Sequence, residues 1–183
     1  MNRFLSTLAA IFMGVFFMTA ESQAQDPENT LYLDLKDGRV VIEMLPDLAP
    51  KHVARIKELT REGFYDGLVF HRVIPDFMAQ TGDPLGNGTG GSGQNLPAEF
   101  SREKFVRGIL GMARAQDINS GDSQFFIMFD RSSHLDGKYT VWGRVVEGME
   151  HVDSIKKGST RMNGAIDGEP DKIVRMQVAA DAQ

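Results

Sequence analysis

Turn signals punctuate this sequence at short intervals, and between them lie apolar runs too short for most helices. "LYLDLKDGRVVIEML" is the clearest case, with two β-rich runs flanking Asp37-Gly38, a strong signal for a two-residue hairpin. "LVFHRVI" predicts a third strand, and Met78 to Gln80 a short one after the Pro75-Asp76 turn. "GILGMAR", "FFIMF", "YTVWGRVV" (after Asp136-Gly137) and "KIVRMQV" predict four more, about eight in all. Two segments instead have helical spacing. Pro50 suits a first helical position, and Val53, Ile56 and Leu59 recur behind it among Lys51, Arg55, Lys57, Glu58, Arg61 and Glu62. The second helix is expected from about Met149 to Lys157, with Met149, Val152 and Ile155 as its apolar stripe, and with Lys156, Lys157 and Gly158 suiting its C-terminus. Both stripes read as core-packing faces. Many short strands with two helices predict a mainly β fold, a closed eight-stranded antiparallel β-barrel capped by two α-helices.

The first residues read differently. Arg3 gives a positive start, Leu8 to Met18 is apolar apart from Gly14, and Ser22 and Ala24 are small residues at cleavage-site spacing. This is the three-part pattern of a secretory signal peptide. The expected organisation is a signal peptide over 1–24 and one domain over 25–183, delivered to a bacterial periplasm. An uncleaved membrane anchor is the alternative, but the apolar run is short for a span of roughly 20 residues. After cleavage no stable membrane insertion is expected. The chain has no cysteine, so an exported domain must rest on its own core, and 42% hydrophobic residues make that feasible. The net charge of −5 argues against a nucleic-acid partner. With no coiled-coil pattern or long apolar patch in the sequence, a monomer is expected.

Several residues invite chemistry. Arg72 falls between Phe70 and Ile74, on their side of an alternating run. An arginine on an apolar face marks either a site or a side chain snorkelling at a strand edge. "GNGTGG", Gly86 to Gly91, matches a dinucleotide fingerprint but lacks the strand before it and the helix after it that phosphate binding needs. It reads as a glycine-rich loop. His71, Asp83 and Ser123 follow the order of one hydrolase triad, yet Ser123 precedes Gln124, Phe125 and Phe126 and does not sit in a G-x-S-x-G elbow. It reads as a turn residue. His71 falls on the face opposite Arg72 and reads as a core histidine. His52, His71, His134 and His151 show no metal-ligand spacing, so no metal is expected.

Taken together, "FHRVIPDFMAQTGD", "GNGTGG", "GILGMARA", "SQFFI" and "LDGKYTVWGRVVEGM" resemble, in order and approximate spacing, the cyclophilin family of peptidyl-prolyl cis–trans isomerases. The resemblance covers nearly all of residues 25–183. It implies an eight-stranded barrel with a helix at each end, and an isomerase that needs no cofactor. Arg72 is implied as the catalytic arginine, with Gln80 orienting it and the substrate backbone. Phe77, Met78, Phe126 and Leu135 are implied as the proline pocket. Ala113, Arg114 and Ala115 would pair with the substrate main chain, and Gly88 and Gln124 would line a neighbouring groove. The implied partners are proline-containing polypeptides, here unfolded exported proteins.

Three positions depart from the best-known members. Arg114 replaces an asparagine and adds a cation beside the groove. His134 replaces a tryptophan that helps bind cyclosporin, which implies weaker inhibition, and Trp142 lies too far along to substitute. Tyr139 replaces a histidine and can still supply an aromatic wall and a hydroxyl. Two other classes compete with the isomerase reading: a module that binds proline segments without turnover, and a serine hydrolase built on Ser123. The combination of Arg72, Phe77, Met78, Gln80 and Phe126 favours catalysis, because a pure binder needs the pocket but not the donor.

Overall fold

The first hairpin forms where the sequence predicts one, with its two-residue turn at Lys36-Asp37, one residue before the expected Asp37-Gly38. Strands β1 (Thr30–Leu35) and β2 (Gly38–Met44) pair antiparallel, and Leu35 opposite Gly38 closes the turn over Lys36 and Asp37. This computed structural model describes residues 26–182; the expected leader, residues 1–24, lies outside them. Helix α1 (Pro50–Arg61) starts at Pro50 and buries Val53, Ile56 and Leu59. Its N-cap, Ala49, has no capping side chain. Glu99 supplies the cap from 47–48 residues away, accepting from the backbone N–H groups of Lys51 and His52 and from His52 Nδ1 at 2.7 Å.

Six further strands complete the sheet: β3 (Arg72–Ile74), β4 (Met78–Thr81), β5 (Ile109–Met112), β6 (Phe125–Met128), β7 (Val141–Glu147) and β8 (Arg175–Val178). Their spatial order is β3-β4-β6-β5-β7-β2-β1-β8, with every neighbour antiparallel. Helix α2 (Met149–Asp153) contacts β2. It ends earlier than expected, with Ser154 rather than Gly158 at its C-terminus. Gly158 instead lies against the backbone of Gly164, where a Cβ would sit 2.0 Å from the carbonyl oxygen.

The expected closed barrel is corrected to an open, curled sheet. Among the described residues no ladder joins the edge strands β3 and β8. Ahead of both strands there is only an isolated bridge, Val69 with Lys172, supported by Phe70 N–H to Asp171 O at 2.9 Å. The free edge of β3 is occupied instead by the irregular segment 158–165: Val73 N–H donates to Gly164 O, and Gly158 N–H donates to Val73 O. A strand edge needs partners for its backbone groups, and this segment supplies them where β8 does not. The expected strand "LVFHRVI" is shortened by the same arrangement to three residues. Phe70 therefore packs with Val73 in the main core, and it does not share a face with Arg72.

Period-2 alternation sorts the central strands into two apolar layers. Val73, Ala79, Leu110, Phe125, Ile127 and Trp142 face the main core with the α1 stripe. Met78, Ile109, Phe126, Met128 and Val141 face the other way and form a second cluster with Phe105 and Leu135. The four residues of β5, like the four of β6, are all buried because both faces of the sheet are covered there. Each such side chain contributes roughly 1.5–3 kcal/mol of burial. The second cluster is the floor of the candidate site.

Candidate active site

One row of cross-strand partners builds the site. Arg72 on β3 pairs with Gln80 on β4, Gln80 with Phe126 on β6, and Phe126 with Gly111 on β5. Directly opposed residues share a face, so the row places a guanidinium, an amide and an aromatic ring side by side. Gly111 ends the row for a steric reason. A Cβ there would lie 2.4 Å from Phe126 Cζ and 2.6 Å from Phe105 Cε1. Its absence lets the Phe126 ring lie over β5, stacked on Phe105 with centroids 5.8 Å apart.

The resulting groove encloses about 440 Å³ and is lined by Arg72, Phe77, Met78, Gln80, Ala113, Arg114, Phe126, His134, Leu135, Lys138 and Tyr139. Met78, Phe126 and Leu135 are nearly buried and form its apolar floor. Tyr139 meets the Phe126 ring edge-on at 5.9 Å, and His134 packs near Phe77 with centroids at 5.6 Å. Nine of the twelve expected site residues line this groove, and Gly88 and Gln124 line a second groove of about 270 Å³. Ala115 belongs to the second groove as well, while Ala113, Arg114 and Gln80 border both. A larger cleft between Asp26, Glu43 and Arg144 holds none of the expected residues.

The Arg72 head is fixed on three sides. Nη1 donates to Gln80 Oε1 at 3.0 Å, Nε to the Asn163 carbonyl at 3.1 Å, and Nη2 to Asn163 Oδ1 at 2.9 Å. All three acceptors are neutral, so the charge is oriented without being cancelled. Arginine only donates; Nη1 also meets the Met78 thioether, a weak acceptor, at 3.9 Å, which leaves one N–H on Nη2 with no partner among the described residues. Burial pushes the Arg72 pKa down from its ordinary value, with Tyr139 opposing, yet a guanidinium stays charged near neutral pH. Because Gln80 accepts through its oxygen, its NH2 group points to Gln124 Oε1 at 2.9 Å. Gln124 in turn donates to the carbonyls of Gly88 and Gly90. The relay therefore runs from Asn163 through Arg72, Gln80 and Gln124 to the glycine-rich loop.

Asn163 was not among the residues expected from sequence. It ends the short 3-10 turn Thr160–Met162 in a left-handed conformation, φ 53° and ψ 35°. The Asn163-Gly164 dipeptide is a turn signal that could have flagged the turn, but not its contact with Arg72. Gly164 then packs against β3, where a Cβ would approach Ile74 Cγ1 to 2.6 Å.

The segment after β5 is mostly satisfied within the protein. Ala113 N–H donates to Gln124 O and Ala115 N–H to Ser120 Oγ, while Arg114 Nη1 donates to the Ala115 carbonyl. The main-chain groups of Arg114 and the carbonyl of Ala113 have no partner among the described residues.

The competing motifs are explained by the same geometry. Asp83 accepts from the N–H groups of Leu85, Asn87 and Gly88. Burial would raise its pKa, but these bonds outweigh that and hold it below the ordinary value. Loop N–H groups that a phosphate would require are thus turned to a carboxylate of the protein itself. Ser123 is fully buried and its hydroxyl donates to Gly82 O at 2.7 Å, a structural role rather than an exposed nucleophile. His71 is half-buried beside Gly88, and burial lowers its pKa.

An apolar groove beside an oriented guanidinium, on an eight-stranded sheet with two helices, defines a class that holds a flat apolar group near a fixed donor. The chain belongs to the cyclophilin family: the family model described as "Cyclophilin type peptidyl-prolyl cis-trans isomerase/CLD" matches residues 30–178. It is a cofactor-independent peptidyl-prolyl cis–trans isomerase. A probable peptidyl-prolyl cis-trans isomerase of Brucella suis biovar 1 is 56% identical, covering 96% of this chain and 95% of that protein. Peptidyl-prolyl cis-trans isomerase B of Bacillus subtilis is 41% identical over 76% of this chain and 99% of its own length. Among solved structures, a cyclophilin from Hirschia baltica superposes with a TM-score of 0.76 at 29% identity, covering 86% of this chain and 76% of that one. A Cryptosporidium parvum cyclophilin type isomerase, crystallised in the presence of the dipeptide Ala-Pro, superposes with a TM-score of 0.74 at 29% identity, covering 81% and 98%.

Proposed function

We propose that Arg72 is the catalytic residue of this isomerase and that the groove over Phe77, Met78, Phe126, Leu135 and Tyr139 holds the substrate proline. The observation that carries this is the Arg72 head itself, held by Gln80 and Asn163 beside an apolar floor, with one Nη2 donor unengaged among the described residues and one on Nη1 facing only the Met78 sulfur. An X–Pro amide must rotate against a barrier of roughly 18–20 kcal/mol. In the twisted state the prolyl nitrogen regains its lone pair. A preorganised donor aimed there binds the twisted state better than either planar isomer. One such donor supplies on the order of 3 kcal/mol. Gln80 and Asn163 act as positioning residues, and Gln124 and Gly88 extend that support. Main-chain pairing with substrate falls to the segment Ala113, Arg114 and Ala115, where the Ala113 carbonyl and the Arg114 main chain have no partner among the described residues.

The substrates are proline-containing polypeptides. The protein acts as a monomer on unfolded exported proteins in the periplasm, a reading supported by the signal-peptide pattern of residues 1–24. The mass of the exported protein tests cleavage after Ala24. The catalytic assignment is tested by NMR exchange of a proline peptide with the chain from Gln25 onward and its Arg72→Ala variant. The parent accelerates exchange, and the variant loses about 100-fold in rate while still binding peptide. Binding without acceleration by the parent would remove Arg72 from its role.

A further inference from the structure

The groove is cationic on an acidic protein. The chain carries a net charge of −5, yet the groove lining includes Arg72, Arg114 and Lys138 and no Asp or Glu. Among the described residues, six arginines elsewhere pair with carboxylates, Arg39 with Asp34, Arg55 with Glu58, Arg61 with Asp181, Arg107 with Asp153, Arg131 with Asp136 and Arg144 with Glu43, while Arg102, Arg161 and Arg175 do not. The groove cations form no such pair among the described residues. Arg114 is held by neutral oxygens only, the carbonyls of Ala115, Gln116 and Lys138, and lies 4.5 Å over the Tyr139 ring. That grip fixes the guanidinium in place and leaves its charge uncompensated.

Arg114 also borders both grooves, so a chain leaving the proline pocket for its neighbour passes this guanidinium. The neighbouring groove is lined by one carboxylate, Asp122, which is turned to Ser92 N–H, the Ser92 hydroxyl and Gly93 N–H and keeps its charge, so the purely cationic lining is that of the proline groove.

We propose that this site selects X–Pro segments carrying a carboxylate side chain within two residues of the proline, read by Arg114 and Lys138. The proposal rests on the groove being the isomerase site. A cleft lined by one sign of charge raises the local concentration of ligands of the other sign. For solvent-facing pairs the expected gain is about fivefold in kcat/KM for Glu over Gln.

The test uses capped peptides alike except for Glu, Gln or Lys placed in turn at the two positions on either side of the proline. Exchange rates are measured with the protein and with its Arg114→Gln, Lys138→Gln double variant. The readout is the Glu-to-Gln ratio on one protein, so any general loss of activity in the variant cancels. The parent favours Glu at one or more positions and disfavours Lys there. The ratio approaches one at about 0.5 M salt, where screening shortens the reach of charge, and also in the double variant. Ratios within roughly 1.3-fold of one at every position in low salt, below the weakest expected ion pair, would overturn the proposal. So would a preference unchanged in the double variant. If every peptide is accelerated equally, only the charge selection falls. If none is accelerated, the isomerase assignment of the groove falls with it.

Discussion

Replacing Asn163 by glycine tests whether the hold on Arg72 matters for catalysis. Asn163 sits at φ 53°, a conformation glycine adopts without strain, so the backbone and the carbonyl that accepts from Arg72 Nε stay in place. What disappears is the 2.9 Å bond from Nη2 to Asn163 Oδ1. A hydrogen bond to a charged group contributes about 1.5–3 kcal/mol. Gln80 and the Asn163 carbonyl retain part of the orientation, so the expected loss is near the lower end. A loss of about 1.4 kcal/mol corresponds to about tenfold in kcat/KM. The contact is with the donor and not with the proline, so the fall appears in kcat with KM held within about twofold. Asn163→Asp keeps an acceptor and tolerates the left-handed backbone, but its carboxylate partly compensates the Arg72 charge, so it restores only part of the rate. The assay is NMR exchange of a proline peptide over a concentration series, with thermal unfolding of both variants alongside. Parent-like turnover by Asn163→Gly would refute the positioning role. Equal losses in both variants, accompanied by a large fall in Tm, would reduce Asn163 to a structural turn.

Other perturbations follow from specific contacts. Gly111→Ala drives a methyl into Phe126 and Phe105, which costs about 1–3 kcal/mol of stability and raises KM; denaturant unfolding and peptide titration measure both, and a parent-like pair of values contradicts the packing argument. Glu99→Gln weakens the distant cap on α1 and lowers stability near neutral pH by about 1 kcal/mol, which urea unfolding would detect. Burial lowers the His52 pKa despite Glu99, whereas Glu99 is held low by His52 and backbone N–H groups that outweigh its own burial. Both pKa values are depressed, so both contributions are present at high pH and lost on acidification. The His52 part is complete above about pH 6.5 and the Glu99 part above about pH 4.3, each fading as pH falls through the folded value. Glu99→Gln should show a shallower acid loss, and identical slopes in the two proteins would count against this pair. His134→Trp places an indole near Phe77, where His134 is exposed, and should strengthen cyclosporin inhibition relative to the parent; an unchanged inhibition curve would separate position 134 from inhibitor binding.

Much of this fold could be read locally. The first hairpin, with its turn placed to within one residue, the stripe of α1 and the positions of eight strands follow from turn chemistry and periodicity, since those signals act over a few residues. The resemblance carried the groove residues, and alternation correctly set Arg72 on the face of Ile74 rather than Val73. Alternation failed at Phe70, because the strand begins only at Arg72 and the chain before it turns into the main core.

What the sequence alone determined is therefore the set of elements and the residue types of the site. What only the tertiary structure decided are the partners of strand edges, helix ends and charged groups. Asn163 reaches Arg72 across 91 residues, Glu99 caps α1 across 47–48, and segment 158–165 takes the edge of β3 that a closed barrel would have given to β8. Each of these is one backbone or polar group finding a hydrogen-bond partner after the chain has folded back. Such pairing leaves no period and no local pattern, because the requirement is satisfied by distance in space and not by spacing along the chain.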